Sequence, residues 1–171
     1  MNTDRSSEFS MVHDMLHEQY GVDPILIDQD ILRHYGTEVI VHPCKWENCT
    51  MHIAVEHKQV SKHLQQHHNI NTSATSGATQ QITCLWTGCR DAHMKPGNLT
   101  RHVLTHLGVR WICENCEGSL SREDAFRRHA LEKPNCQNAK AVIKYGDGSV
   151  TIDTAYLYGG WSATQNVMCI P

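Results

Sequence analysis

The chain has 171 residues, 15 basic and 18 acidic side chains and a formal charge of -3, a length suited to about one ordinary domain. The charge excludes a uniformly basic nucleic-acid coat, and apolar runs of only a few residues exclude a membrane span or a secretory signal. Two Phe beside eight Cys and thirteen His leave little material for a large apolar core, and point to small units stapled by metal.

Residues 1–41 carry two basic and eight acidic side chains, a net -6. Phe9, Val12, Leu16 and Tyr20 recur at three or four residues, which predicts an amphipathic helix capped by Ser7 and stopped by Gly21. Asp23 and Pro24 then read as the cap and first position of a second helix, running through Ile27, Ile31 and Tyr35 to Gly36. Acidic residues between bulky apolar ones suit a segment that folds on a protein partner, and suit equally a helical pair packed on itself or on the unit that follows.

Residues 42–140 hold twelve basic and eight acidic side chains, a net +4, and contain nearly all the Cys. The first set, within 42–70, is Cys44, Cys49, His63 and then His67 or His68. Residues 71–81 are small and polar, a linker. The second set, within 82–106, is Cys84, Cys89, His102 and His106, and the third, within 113–136, is Cys113, Cys116, His129 and Cys136. A tetrahedral zinc site takes two ligands from a tight turn and two from successive helical turns, and His at i and i+4 share a helical face. No His lies between 130 and 135, so Cys136 is the nearby candidate for the last ligand. His52, His57 and His93 fall outside the sets. Three structural zinc ions are therefore expected.

Each set also carries apolar positions for a small core. These are Leu120 and Phe126 in the third; Leu99 in the second, with Met94 compensating for His93; and Ile53 or Ala54 with Val60 in the first. Closed four-ligand sites argue against an enzyme, which needs an open position and a general base. Neither H-E-x-x-H nor an H-x-E joined to P-C-x-x-C occurs.

The tail, 137–171, has a Gly-Asp-Gly turn at 146–148 between β-prone runs, which predicts a hairpin over 142–153. The remainder gives no functional signal, and Cys169 belongs to no set.

Residues 42–136 resemble Cys2His2 zinc fingers, the third being Cys2HisCys. CKWENC and CLWTGC both carry C-x-W-x2-C, which resembles the tandem Trp-containing finger pair of the Gli and Zic group. The resemblance implies a small zinc-stabilised α+β fold of three ββα fingers, a helical head and a poorly defined tail. It also implies that Trp46 and Trp86 lock fingers one and two together, the first contacting DNA little. LGVRWI, residues 107–112, has the length of the TGEKP-type linker of DNA-binding arrays. Counting back from His129 puts Arg122, Asp124, Ala125 and Arg128 at helical positions minus one, two, three and six; finger two gives Lys95, Gly97, Asn98 and Arg101. Arg reads guanine through O6 and N7, Asn suits adenine, and Asp124 can brace Arg122. The expected function is zinc-dependent, sequence-specific binding of double-stranded DNA at a G-rich site, with transcription regulation in the nucleus. The alternative is a protein-interaction or RNA-binding module without base-specific contacts.

Overall fold

A computed structural model describes residues 5–73, 80–90 and 92–171; most of the expected linker, 74–79, lies outside them. Helix α1, Arg5–Tyr20, starts upstream of Ser7 and ends as expected at Gly21, whose N–H donates to the His17 carbonyl at 2.8 Å. It buries Phe9 and Leu16 on the predicted face, against Leu26, Met51 and Ile170. Tyr20, expected on that face, is about half exposed and packs on Trp161 with ring planes tilted by 34°.

The second expected helix does not form. Ile25–Asp28 is strand β1, followed by a single helical turn, α2, over Ile31–His34. The cause is the C-terminus: β1 pairs in parallel with the last strand, Val167–Ile170, from Ile25 opposite Val167 to Asp28 opposite Ile170. A strand covered on both faces is apolar without alternation, and a short run of that kind is indistinguishable from a helix by periodicity. Leu26 accordingly enters the core under α1, while Ile27 enters a second core with Ile31, Val39, Val41, Ile152 and Val167.

Strands β2, Glu38–Pro43, and β3, His52–Ala54, pair antiparallel and lead to α3, His57–His68. β4, Ile82–Thr83, and β5, His93–Met94, lead to α4, Pro96–His106. β6, Arg110–Cys113, and β7, Ser119–Leu120, lead to α5, Glu123–Glu132. α5 stops there because Pro134 disfavours helical backbone at Lys133, and a 3-10 turn over Pro134–Cys136 follows.

The predicted hairpin is also overturned. Both its strands exist, β8 at Ala141–Lys144 and β9 at Val150–Asp153, but they do not pair with each other. β8 adds antiparallel to β6, and β9 adds antiparallel to β2, from Glu38 opposite Asp153 to Val41 opposite Val150. The tail thus straps the third strand pair to the first before β10, Trp161–Ser162, and β11, Val167–Ile170, return to β1. Cys169 is a core residue here, packed beside Ile27 and Val167.

The strap crosses residues 107–112 at one tight point. A Cβ on Gly108 would lie 2.6 Å from the Gly146 Cα, and one on Gly146 would lie 2.5 Å from the Leu107 oxygen. Leu107 and Val109 are buried in a core shared with Trp46, Val60, Leu64, Trp86 and Leu99. Residues 107–112 are therefore built into the body of the protein and are not a free tether. Among the described residues no helix is long and apolar enough to cross a membrane.

Candidate metal centres

Each expected set converges to a cluster whose donor atoms all lie within 4.8 Å of one another: Cys44, Cys49, His63, His68; Cys84, Cys89, His102, His106; and Cys113, Cys116, His129, Cys136. Zinc at about 2.3 Å from sulfur and about 2.05 Å from nitrogen gives a tetrahedron with S–N edges near 3.6 Å and N–N edges near 3.3 Å. Cys44 Sγ to His68 Nε2 is 3.6 Å, Cys49 Sγ to His63 Nε2 is 3.7 Å, and Cys84 Sγ to His106 Nε2 is 3.7 Å. Cys89 to His102 and Cys116 to His129 are both 3.4 Å, and the two imidazole nitrogens of the second cluster are 3.0 Å apart. The spacings match ligand edges, so the donor sets fit zinc. When bound, the ion supplies a four-point crosslink between a turn and a helix.

Local backbone explains the convergence. The Cys49 N–H donates to the Trp46 carbonyl at 3.1 Å and the Cys89 N–H to the Trp86 carbonyl at 2.9 Å, so each pair sits on a tight turn. The 3-10 turn after α5 carries Cys136, itself buried, to the third cluster. Burial holds His63, His102 and His106 below the ordinary histidine range, which keeps their rings neutral and their lone pairs free for a metal. Bonding with the Cys44 thiol holds Cys49 down at about 2 and drives Cys44 upward. Burial pushes Cys84 and Cys136 up to about 11; at Cys113 burial also raises the thiol, but the Cys116 and Asn115 N–H groups outweigh it and leave it at about 6.

One alternative left open by the spacing is decided. His67 stands four residues after His63, the regular spacing, yet His68 is the donor beside Cys44. His67 turns to Asp28, donating from Nε2 to the two carboxylate oxygens at 2.9 and 3.0 Å. Asp28 belongs to the head, and nothing in the local spacing of the first set marks it. His57 and His93 stay outside the clusters, as expected, and so does His52, which is largely buried and shifted down to about 4 by that burial.

The small cores follow the predicted positions. Phe126 is buried and Leu120 packs beside it; Leu99 is buried with Met94 against it while His93 is exposed. Both options in the first unit are used, Ile53 toward the shared core and Ala54 toward the core of β2 and β9. Trp46 and Trp86 are both buried, and their backbones form an antiparallel bridge. Their rings rest on imidazoles: Trp46 lies 5.7 Å from His68, and Trp86 stacks on His106 at 5.6 Å with planes 5° apart.

Lys95 and Arg122 immediately precede α4 and α5; Lys95, Asn98, Arg101, Asp124 and Arg128 are exposed, and Arg122 is partly so. Asp124 lies 3.2 Å from Arg122 and 3.8 Å from Arg128, and Arg101 donates to Asn98 at 2.7 Å. Arg101, Arg122 and Asp124 meet in a cleft of about 270 Å3 with His57, Leu104 and Trp111.

No family model and no solved structure matches the chain. A curated protein, zinc finger protein ztf-6 of Caenorhabditis elegans, is 33% identical over 46 residues, a match covering 27% of this chain. The matched part spans 10% of that protein's length. The three Cys/His clusters and this similarity together fit a zinc-binding protein of zinc-finger type.

Proposed function

We propose that the chain is a zinc-dependent, sequence-specific DNA-binding protein that acts in the nucleus as a transcription regulator. In this reading it has three ββα fingers and three structural zinc ions, and it is not an enzyme. Fingers one and two form a Gli/Zic-like pair through Trp46 and Trp86. Fingers two and three read a G-rich site in double-stranded DNA, and the solvent-facing side of the acidic head engages a protein partner.

The observation that carries this reading is Asp124 held between Arg122 and Arg128, 3.2 and 3.8 Å away, at the solvent-facing start of α5. A carboxylate in that place orients guanidinium forks for bidentate contacts with guanine. Arg101 braced by Asn98 offers a similar arrangement on α4. The reading is tested by random-oligonucleotide selection with the zinc-loaded full chain. Enrichment of a core near 5′-GNGGAG-3′ supports it, and the absence of any G-rich enrichment removes it.

A second reading, binding of protein or RNA without base-specific contacts, draws on residues 107–112. Leu107 and Val109 are buried, and Trp111 packs against both the shared core and that of the third unit. That fixes α4 and α5 relative to each other before any DNA is present. A rigid cleft with Leu104 and Trp111 on its wall also suits a folded partner.

A further inference from the structure

The first cluster has one histidine more than it needs, and the choice between His67 and His68 is made from outside the unit. His63 directs Nε2 toward Cys49 at 3.7 Å. With that nitrogen on zinc, the ring proton resides on Nδ1, and a metal-bound imidazole almost always donates its other N–H to a carboxylate, a carbonyl or water. His63 Nδ1 is buried without a hydrogen-bond partner, and a carboxylate oxygen of Asp28 lies 4.0 Å from it. The same carboxylate holds His67, whose ring stacks on His63 with centroids 4.6 Å apart. Asp28 is fixed by the pairing of β1 with β11, and the segment after it is tied to α3 where Lys62 donates to Asp30 at 2.5 Å.

We propose that Asp28 is a positioning residue for the first zinc ion: its carboxylate, 4.0 Å from His63 Nδ1, favours the Nδ1–H tautomer of that ring electrostatically and withholds His67, so that His68 becomes the fourth ligand. The inference rests on the reading that this cluster binds zinc. It makes the site dependent on a strand from the head and, through β11, on the tail. Without that carboxylate, His67 at the regular i+4 spacing becomes a competing ligand.

The test uses the full chain, with zinc counted per molecule, each site's affinity measured by chelator competition, and imidazole nitrogens followed by NMR. Asp28→Asn should weaken the first zinc by about tenfold or more, leave the other two unchanged, and move the His63 Nδ1–H signal. His68→Ala should lose one zinc, and adding Asp28→Ala should restore it through His67. Should Asp28→Asn fail to fold, His67→Ala decides: three zinc ions and an unweakened first site are expected, because His67 is not a ligand. The proposal is overturned by unchanged first-site affinity in folded Asp28→Asn, or by loss of a zinc in His67→Ala. A fourth zinc that depends on His67 also overturns it, since Asp28, His63 and His67 are then a metal site themselves. A wild-type protein with two zinc ions and none in the first cluster removes the zinc reading beneath it.

Discussion

Trp46 and Trp86 are joined by an antiparallel backbone bridge, and on either side of it Thr87 N–H donates to the Lys45 carbonyl at 2.8 Å and Glu47 N–H to the Leu85 carbonyl at 3.3 Å. The Cys turns of the first two clusters are thus stitched edge to edge, with both indoles in one core. Trp86→Ala should cost about 3 to 5 kcal/mol and loosen both units, because the cavity it leaves belongs to both. Amide exchange measured unit by unit checks this; protection lost around the second cluster alone refutes it.

Gly108 and Gly146 cross where neither has room for a side chain. Gly108 has φ +72, so Gly108→Ala adds backbone strain to the clash. Either alanine should destabilise the protein by roughly 2 to 3 kcal/mol, and the double variant by less than the sum, because one displacement of the strap relieves both. Denaturant unfolding of the three variants measures it, and additive costs count against a shared contact.

Chelation should unfold the three clusters. The third core buries few apolar residues, Phe126 foremost among them, far too little to hold a fold without a crosslink. Structural zinc contributes an apparent ~10 to 16 kcal/mol in finger peptides. Metal analysis should give three zinc ions per chain and circular dichroism should lose helical signal with chelator; an unchanged spectrum contradicts the structural role.

His52 should make stability fall on acidification. Its ring is buried, Nδ1 has no hydrogen-bond partner, and its pKa is lowered from 6.5 to about 4, by burial first and by the nearby His42 next. The native state therefore favours the neutral ring while the unfolded chain protonates. The contribution is fully present above pH 6.5 and is lost as pH falls toward 4, up to roughly 3 kcal/mol over that window. His52→Gln should flatten this part of the pH profile, and an unaltered slope in unfolding experiments means the ring charges freely.

On DNA, Arg122→Ala should cost about 1 to 3 kcal/mol and relax the third base of 5′-GNGGAG-3′ alone. Asp124→Ala should relax the third base and, less, the first, both more weakly, since Asp124 acts through Arg122 and Arg128 beside it. Binding measured on a panel of single-base variants reads this out; equal weakening on every sequence identifies a phosphate contact and ends the base-reading assignment.

The second and third donor sets, the first three ligands of the first set, the turns under Cys44 and Cys84, the helices α3 to α5 and the core positions Leu99 and Phe126 were determined by sequence alone. A zinc tetrahedron gathers ligands from some two dozen neighbouring residues, so its geometry is written in local spacing. Three features were decided only by tertiary structure: β1 in place of a helix, β8 and β9 on different sheets, and His68 in place of His67. Each depends on partners far away in the chain. The run at Ile25, Leu26 and Ile27 becomes a strand because Val167–Ile170 comes back to pair with it. The turn at 146–148 joins two sheets because β2 and β6 each offer an open edge to the tail. His67 leaves the cluster because that same parallel pairing sets Asp28 beside it. Strand pairing between the two ends of a chain has no local period, and it exists only once the ends have met.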